Sequence, residues 1–246
     1  MKYSEETIQK IIELRESGKG VTEIGTILGI DRAAVSRNLK KLGYDTSRNP
    51  LYKNIFETID TEEKAYWLGF LYADGYISKY NQIEVSLALE DEEHLSKLKT
   101  FINTNTDIIK DDHRARLLFC SQKLAADLAR LGCVNGKSLI LTFPTSEQLP
   151  DELVRHFLRG YVDGDGCLCC TKKTQQFCIT STPEFFEGML KRTGWKKEDC
   201  NYYPSGKAIT WRSYKEVMPQ YLHFLYDDCS IYLNRKYEKY KALTAV

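Results

Sequence analysis

A nine-residue string that occurs twice constrains this 246-residue chain more than any other feature. Residues 67–75 read Trp-Leu-Gly-Phe-Leu-Tyr-Ala-Asp-Gly, and residues 158–166 read Leu-Arg-Gly-Tyr-Val-Asp-Gly-Asp-Gly. Self-similarity at this distance indicates two copies of one structural unit. Each string is apolar and of helical length, and each ends in an Asp-Gly pair. The repeat therefore predicts two equivalent helices, each ending near an aspartate.

The sequence after each string repeats as well. Two strand-like runs joined by a polar turn follow each string, at 76–89 and 167–181. A helix, a second hairpin and a closing helix come next in both copies, and Pro204-Ser205-Gly206 marks one of the turns. Each half is predicted to run helix, hairpin, helix, hairpin, helix. The fold class is therefore α+β, with a pseudo-twofold axis between the halves.

Small residues stand four positions apart in each string, at Gly69 with Ala73 and at Gly160 with Gly164. On a helix such positions share a face, so two of these helices could approach backbone to backbone. That packing would bring the terminal carboxylates of Asp74 and Asp165 together. Close carboxylates repel unless a cation compensates them, and a divalent metal bound by oxygen atoms is the natural compensation.

Each aspartate is followed by a glycine, Gly75 or Gly166. Glycine is the common residue where a helix ends in the left-handed conformation, so both are expected to adopt it.

Residues 1–45 predict a small module of three helices, followed by a polar linker over 46–62. Ser4 and Asp31 are expected to cap helices, while Ile24, Ile27, Leu39 and Leu42 are expected to face inward. A Gly29 turn before a helix with outward basic and hydroxyl groups is typical of a helix-turn-helix. The polar residues predicted to meet DNA are Arg32, Ser36, Arg37 and Lys40. The alternative is a small bundle used for protein contact.

The two strings and their matching hairpins resemble the LAGLIDADG homing endonucleases. The second string fits the family pattern throughout, whereas the first departs from it at Trp67 and Tyr72. The resemblance covers about residues 63–240. It implies two αββαββα repeats, over 63–150 and 151–246, whose curved antiparallel sheets form a saddle for DNA. The helix-turn-helix module would precede this fold.

The resemblance also implies a function: site-specific hydrolysis of one phosphodiester on each strand of double-stranded DNA, leaving short 3′ overhangs. Asp74 and Asp165 would bind Mg²⁺ together with the backbone carbonyls of Ala73 and Gly164. Lys137 and Lys236 are the candidates for the basic residue of each active site. The alternative for either lysine is a phosphate clamp or a solvated surface group.

Polar residues of the two hairpin pairs are candidates for reading DNA, because alternate strand residues face one side of a sheet. Arginine and lysine can read guanine, and glutamine can read adenine. The candidates are Lys79, Gln82, Glu84, Arg114, Arg116, Lys172, Lys173, Gln175, Gln176, Lys207, Thr210 and Arg212.

Composition adds few constraints. The net charge is +1, which does not by itself indicate nucleic acid, and the eight cysteines lack zinc-ligand spacing. They are interpreted as buried free thiols in a reducing compartment, and the protein is expected to be a cytoplasmic monomer without membrane contact. Two alternative functions remain open. One is a catalytically silent DNA-binding regulator, and the other is a maturase that binds its host intron RNA.

Overall fold

The computed structural model describes residues 3–17, 19–44, 46, 54–104, 106–171 and 173–245. The chain divides into two compact units, Met1–Lys53 with Ile102–Asn105, and Asn54–Phe101 with Thr106–Val246. Part of the predicted linker, at positions 47–53, lies outside the described residues. Within the described ranges, every helix falls short of the length or apolarity required to cross a membrane.

The N-terminal unit contains α1 (Glu5–Glu16), α2 (Val21–Leu28) and α3 (Arg32–Lys41). The predicted caps are present: the Ser4 side chain accepts from the Thr7 amide, and Asp31 accepts from that of Ala34. The core comprises Ile11, Val21, Ile24, Val35 and Leu39. Two inward predictions were wrong, because Ile27 and Leu42 are 50% and 47% exposed. Three short helices enclose too little volume to bury every apolar side chain on their faces.

Glycine determines how α2 meets α3. Gly29 adopts the left-handed conformation, with φ of +65°, and so ends α2. Gly25 lies under the turn, where a Cβ atom would be 2.6 Å from the carbonyl oxygen of Ile30. The tight turn between these helices therefore depends on both glycines.

The second unit has the predicted repeat. Its first half runs α4 (Glu62–Asp74), β1 (Gly75–Ile77), β2 (Gln82–Ala88), α5 (Glu92–Phe101), β3 (Ile109–Lys110), β4 (Arg114–Cys120) and α6 (Gln122–Arg130). The strands form an antiparallel sheet in the order β1-β2-β4-β3.

The second half repeats this order. It runs α7 (Val154–Asp165), β5 (Cys167–Cys170), β6 (Gln175–Ser181), α8 (Pro183–Thr193), β7 (Cys200–Ser205), β8 (Ala208–Ser213) and α9 (Met218–Tyr226), followed by α10 (Asn234–Thr244). Its sheet order, β5-β6-β8-β7, matches that of the first half. Helix α10 was not predicted, because its charged sequence resembles a solvated tail, yet it buries Lys236, Tyr240 and Leu243.

Both sheets bury one face. In β4, for example, Ala115, Leu117 and Phe119 are buried, while Arg114 and Arg116 are exposed. Pro204 lies in β7, which is an edge strand, so its missing amide hydrogen removes no ladder bond from the sheet interior. The alternation leaves each half with one sheet face against its helices and one outward face.

Candidate active site

Helices α4 and α7 pack against each other through glycine. A Cβ atom added at Gly69 would collide with the carbonyl oxygen of Phe157, and one added at Gly160 would collide with that of Tyr66. The two collisions are equivalent, since each glycine faces the residue three positions before the other. This close approach confirms the prediction made from the small residues, and it places the pseudo-twofold axis between the two glycines.

The same axis brings the ends of the helices together. A Cβ atom on Gly164 would collide with the Cβ atom of Ala73 and would lie 3.2 Å from Oδ2 of Asp74. Asp74 and Asp165 are the last residues of α4 and α7, so both carboxylates project where the helices meet. Asp165 is exposed to solvent and Asp74 is partly exposed. The structure thus brings together the two aspartates that the sequence singled out.

The glycines after the aspartates have a different role from the one predicted. Gly75 and Gly166 have φ of −75° and −71°, so the left-handed expectation was wrong. A Cβ atom would instead lie 2.5 Å from the Leu71 carbonyl oxygen at Gly75, and 2.6 Å from that of Val162 at Gly166. Glycine is required because the strand leaves the helix by turning tightly across its last turn.

The surroundings of the two carboxylates disfavour negative charge. Partial burial raises the pKa of Asp74 to about 6, and the neighbouring Asp165 contributes to the rise. Although Asp165 as a whole residue is exposed, desolvation of its carboxyl group beside the other helix end raises its pKa as well, while Lys137 and Lys236 oppose the rise. A carboxylate pair whose charge is under-compensated favours a bound cation.

Lys137 and Lys236 are both buried, at 8% and 3% exposure, so neither is a solvated surface group. Lys137 donates to the carbonyl oxygen of Gly75. Lys236 donates to the carbonyl oxygens of Val162, at 2.9 Å, and of Gly166. Each ammonium group therefore holds the glycine that follows the aspartate of its own half, and this equivalence extends the pseudo-symmetry beyond the helix pair.

The lysines affect the carboxylates across the axis. Among the cations that lower the pKa of Asp74, Lys236 has the largest effect, and for Asp165 it is Lys137. Burial lowers the pKa of Lys236 to about 8, although Asp163 and Asp74 favour its charged form. Each aspartate is thus influenced most by the lysine of the opposite half.

The donor set fits a divalent metal. Among the described side chains, neither aspartate forms an ion pair, because both lysines donate to backbone carbonyls instead. No group of three or more His, Cys, Asp or Glu residues that could hold a metal occurs in the described part of the chain. Two carboxylates alone suit a hard cation that retains water or phosphate ligands, as Mg²⁺ does.

One buried acid was not predicted to matter. Asp163, at the sixth position of the second string, is fully buried, and its oxygens accept hydrogen bonds from three donors. These are the hydroxyls of Tyr66 and Tyr226, at 2.7 and 2.6 Å, and the Leu233 amide, at 2.7 Å. Tyr66 belongs to α4, so this carboxyl links the two halves. A second acid inside the apolar string, two positions before Asp165, was the only available signal.

The outward face of the first sheet has the predicted exposed arginines, Arg114 and Arg116 on β4, and the partly exposed Gln82 on β2. Lys79 is exposed in the β1–β2 turn, with its Nζ 5.1 Å from the centre of the Tyr80 ring. Tyr76, which is 53% exposed, is the first outward residue and stands two positions after Asp74. This outward face therefore begins at the candidate active site.

In the second sheet, only some of the residues predicted to read DNA lie on the outward face. Arg212 faces outward on β8, with its guanidinium 4.8 Å from the centre of the Tyr203 ring. Lys173 and Lys207 are exposed in turns, and Lys172 lies outside the described residues. Gln175 is exposed at a strand end, but the alternation puts Gln176 in the outward row, because Phe177 and Ile179 are buried. Asn201, Thr180 and Tyr203 also lie in this row and were not predicted.

On α3, the side chains of Arg32, Arg37 and Lys40 are exposed, and that of Ser36 is partly exposed. Arg37 lies on the side of the helix opposite the buried Val35 and Leu39, whereas Arg32 stands one turn before Val35 on the same face. The N-terminal unit thus presents the polar surface that the sequence predicted.

Solved structures share this architecture. I-GzeII, a LAGLIDADG homing endonuclease in complex with its DNA target, matches 74% of this chain over 88% of its own, with a TM-score of 0.52 and 13% identity. The LAGLIDADG meganuclease I-CpaMI, bound to uncleaved DNA, matches 76% of this chain over 92% of its own, with a TM-score of 0.52 and 12% identity. I-AabMI, a LAGLIDADG meganuclease also bound to uncleaved DNA, has a TM-score of 0.50 and 13% identity.

These matches show that the chain contains the LAGLIDADG fold, as the repeated strings predicted. No family model and no curated protein matches the sequence. At 12–13% identity these matches establish a shared fold, and the chemistry of the site is set by this chain's own residues.

Proposed function

We propose that this protein is a metal-dependent homing endonuclease that cuts both strands of a specific DNA site. The observation that carries the proposal is the convergence of Asp74 and Asp165 at the ends of two glycine-packed helices. A DNA-binding protein without chemistry has no use for two adjacent carboxylates whose pKa values are raised. The coupled placement of Lys137 and Lys236 supports the same conclusion, since a buried lysine is costly to maintain.

Asp74 and Asp165 would hold Mg²⁺, and the carbonyls of Ala73 and Gly164 would add oxygen ligands beside them. When bound, Mg²⁺ supplies charge stabilisation for the phosphate and lowers the pKa of a ligand water. The residues of the chain position the two carboxylates that would bind the metal. Packing through Gly69 and Gly160 fixes the spacing of the two helix ends, so the carboxylates need no reorganisation when DNA binds.

Lys236 and Lys137 would steady the phosphates. With its pKa lowered to about 8, Lys236 remains mostly protonated at pH 7. Its charge lies beside carboxylates that are otherwise uncompensated, which favours the approach of the anionic DNA backbone. Because Lys236 also fixes Gly166, its loss would shift both the local charge and the start of β5.

The outward sheet faces would contact the grooves. Arg114, Arg116 and Arg212 are the candidates for guanine, and Gln82 is the candidate for adenine. The exposed lysines in the turns suit phosphate contacts, which position the protein without selecting sequence. The α3 surface would bind flanking DNA, and tethering two modest binding units in one chain raises their combined affinity.

Capture of newly formed DNA ends tests the activity across a whole genome at once. Genomic DNA from a host strain that lacks the gene would be incubated with the protein and Mg²⁺, and new ends would be sequenced. We expect one or a few sites with short 3′ overhangs, and none when a chelator replaces the metal. Ends at random positions, or identical ends with and without metal, would overturn the proposal.

The regulator alternative predicts site-specific binding without new ends, so the same experiment separates it from the nuclease. The maturase alternative stays a prediction that splicing of the host intron would test. The gene's position gives an independent check, since a reading frame inside a group I intron would identify the intron-free junction as the target.

A further inference from the structure

The outward face of the second sheet carries a row of thiols beside the candidate active site. Cys167 on β5 lies directly opposite Cys178 on β6, and Cys178 lies opposite Arg212 on β8, which in turn pairs with Asn201 on β7. All eight cysteines are free. The expectation that they are buried holds for Cys133, Cys178 and Cys200, but Cys120 and Cys167 are exposed and the other three are partly exposed.

We propose that Cys167 and Cys178 form a reversible oxidation site, at which a peroxide converts the two thiols into a cross-strand disulfide. Among the described residues, they form the only cysteine pair whose members face each other directly in a strand register. The site belongs to this chain's second half alone, since the first half places Tyr76 opposite Glu84 at the equivalent positions.

Geometry selects this pair over its neighbours. Directly opposed residues of antiparallel strands have Cα atoms about 4.5–5.5 Å apart, which lies within the about 4.4–6.8 Å that a disulfide spans. Cys169 lies opposite Gln176, so its relation to Cys178 is diagonal, at about 7–8 Å, and outside that range. Cys170 faces Gln175 and Cys120 faces Gln82, and neither has an opposed thiol.

Exposure assigns the order of reaction. Cys167 is exposed and meets the oxidant first, whereas Cys178 is buried, which raises its pKa although Arg212 opposes the rise. The Cys167 sulfur attacks one peroxide oxygen, the O–O bond breaks, and the thiol becomes a sulfenic acid while one water leaves. Cys178 then attacks that sulfur, the S–S bond forms, and the hydroxyl departs with the Cys178 proton as a second water. Two electrons pass from the thiols to one peroxide.

The site is placed to affect DNA. Cys167 stands two residues after Asp165, and Gly166 between them accepts from Lys236. Forming the disulfide removes the Cys178 thiol from Arg212 and fixes the start of β5 to β6. We therefore expect oxidation to reduce cleavage, a consequence that rests on the proposed nuclease function, whereas the disulfide itself does not.

Peptide mapping tests the site directly. The full-length protein would be treated with hydrogen peroxide, its remaining thiols alkylated, and the digest analysed by mass spectrometry with and without reductant. We expect a linked pair of peptides containing Cys167 and Cys178, lost on reduction. Cys167→Ser should abolish the linkage and Cys169→Ser, its neighbour on the same face, should retain it. Absence of the linkage, or its loss in Cys169→Ser rather than Cys167→Ser, would overturn the site.

Cleavage provides the second readout. Peroxide should lower the cleavage rate of the wild type at least several-fold, reductant should restore it, and Cys167→Ser should be insensitive. A linked protein that cuts as fast as the reduced one would overturn the effect on DNA. A reduced protein that does not cut would count against the nuclease proposal, while the peptide map would still decide whether the oxidation site exists.

Discussion

The two halves of the repeat agree at the paired helix ends and differ at the sixth position of the strings. Gly69 and Gly160 pack in the same way, Asp74 and Asp165 end equivalent helices, and Lys137 and Lys236 hold equivalent glycines. At the sixth position of the strings, by contrast, Tyr72 in one half donates to the Leu131 carbonyl, while Asp163 in the other accepts three hydrogen bonds. Symmetry is thus retained at the helix ends that build one site and is lost at the sixth position, where Asp163 links the two halves through Tyr66 whereas Tyr72 bonds within its own half.

Substituting the glycines that pack at the axis should cause the largest loss of stability. Gly160→Ala puts a methyl group into the Tyr66 carbonyl and 2.9 Å from the Phe70 amide nitrogen. Backbone atoms cannot move aside as a side chain would, so the helices must separate. We expect a loss of at least about 4 kcal/mol in the free energy of unfolding. Gly69→Ala should cost the same, and denaturant titration of both variants would measure it.

An exchange across the axis provides the matched control. Gly164→Ala alone places a second methyl group against Ala73 and should destabilise the protein. Ala73→Gly with Gly164→Ala moves the methyl group from one helix to the other, so it should recover most of the lost stability. If the double variant is no more stable than Gly164→Ala, the two halves are not equivalent at this contact.

Substitutions at the sixth position of the strings should cause the next largest loss of stability, and the loss should differ between the two halves. Asp163→Ala leaves two tyrosine hydroxyls and the Leu233 amide without their buried acceptor, which should cost about 3–5 kcal/mol. Tyr72→Phe removes one donor to Leu131 and should cost about 1 kcal/mol. The same denaturant titrations measure both. Equal losses would contradict the claim that this position has different tasks in the two halves.

Replacing either carboxylate should change the free energy of unfolding by less, and should raise it. Because the pKa of Asp74 is raised to about 6 in the folded protein, from 3.8, its ionisation lowers stability above pH 6. Asp74→Asn should therefore raise the free energy of unfolding at pH 8, in the absence of metal, by about 1–2 kcal/mol after allowance for solvent screening. The gain should fall as the pH drops from 6 through 4 and vanish below about pH 3, where Asp74 is protonated in both the folded and the unfolded state.

The paired variant sharpens this comparison. Asp165 is the more exposed of the two aspartates, so Asp165→Asn should give the smaller gain at pH 8. Unfolding curves at pH 4, 6 and 8 would measure both variants. A loss of stability at pH 8 in either variant would contradict the conclusion that the carboxylates repel each other without a cation.

Local sequence rules explain why much of this was predictable. The four-residue spacing of Gly69 and Ala73 indicated a helix contact, and period-two alternation indicated which faces of β4 are buried. The conformation of Gly75 was not predictable, since a close approach to Leu71 depends on where β1 leaves α4. The hydrogen bonds of Asp163 were equally hidden, because they join residues far apart in the chain.

Strand register explains the other differences. Cys167 and Cys178 are separated by a turn whose length sets which residues face each other, and a shift of one position would have placed Phe177 opposite Cys167 instead. The same parity decides between Gln175 and Gln176 as the outward residue. Helix α10 was missed for another reason. Lys236 is polar, yet it is buried because backbone carbonyls accept its hydrogen bonds. A hydropathy pattern does not indicate such a residue.

Cleavage by the aspartate variants tests the central claim most directly. Wild type, Asp74→Asn, Asp165→Asn and the double variant would be incubated with Mg²⁺ and the duplex recovered by end capture, with binding measured in parallel. The convergence of the two carboxylates predicts that each substitution abolishes double-strand cleavage while binding stays within about threefold. A double variant that still cuts both strands with Mg²⁺ would show that the chemistry lies elsewhere.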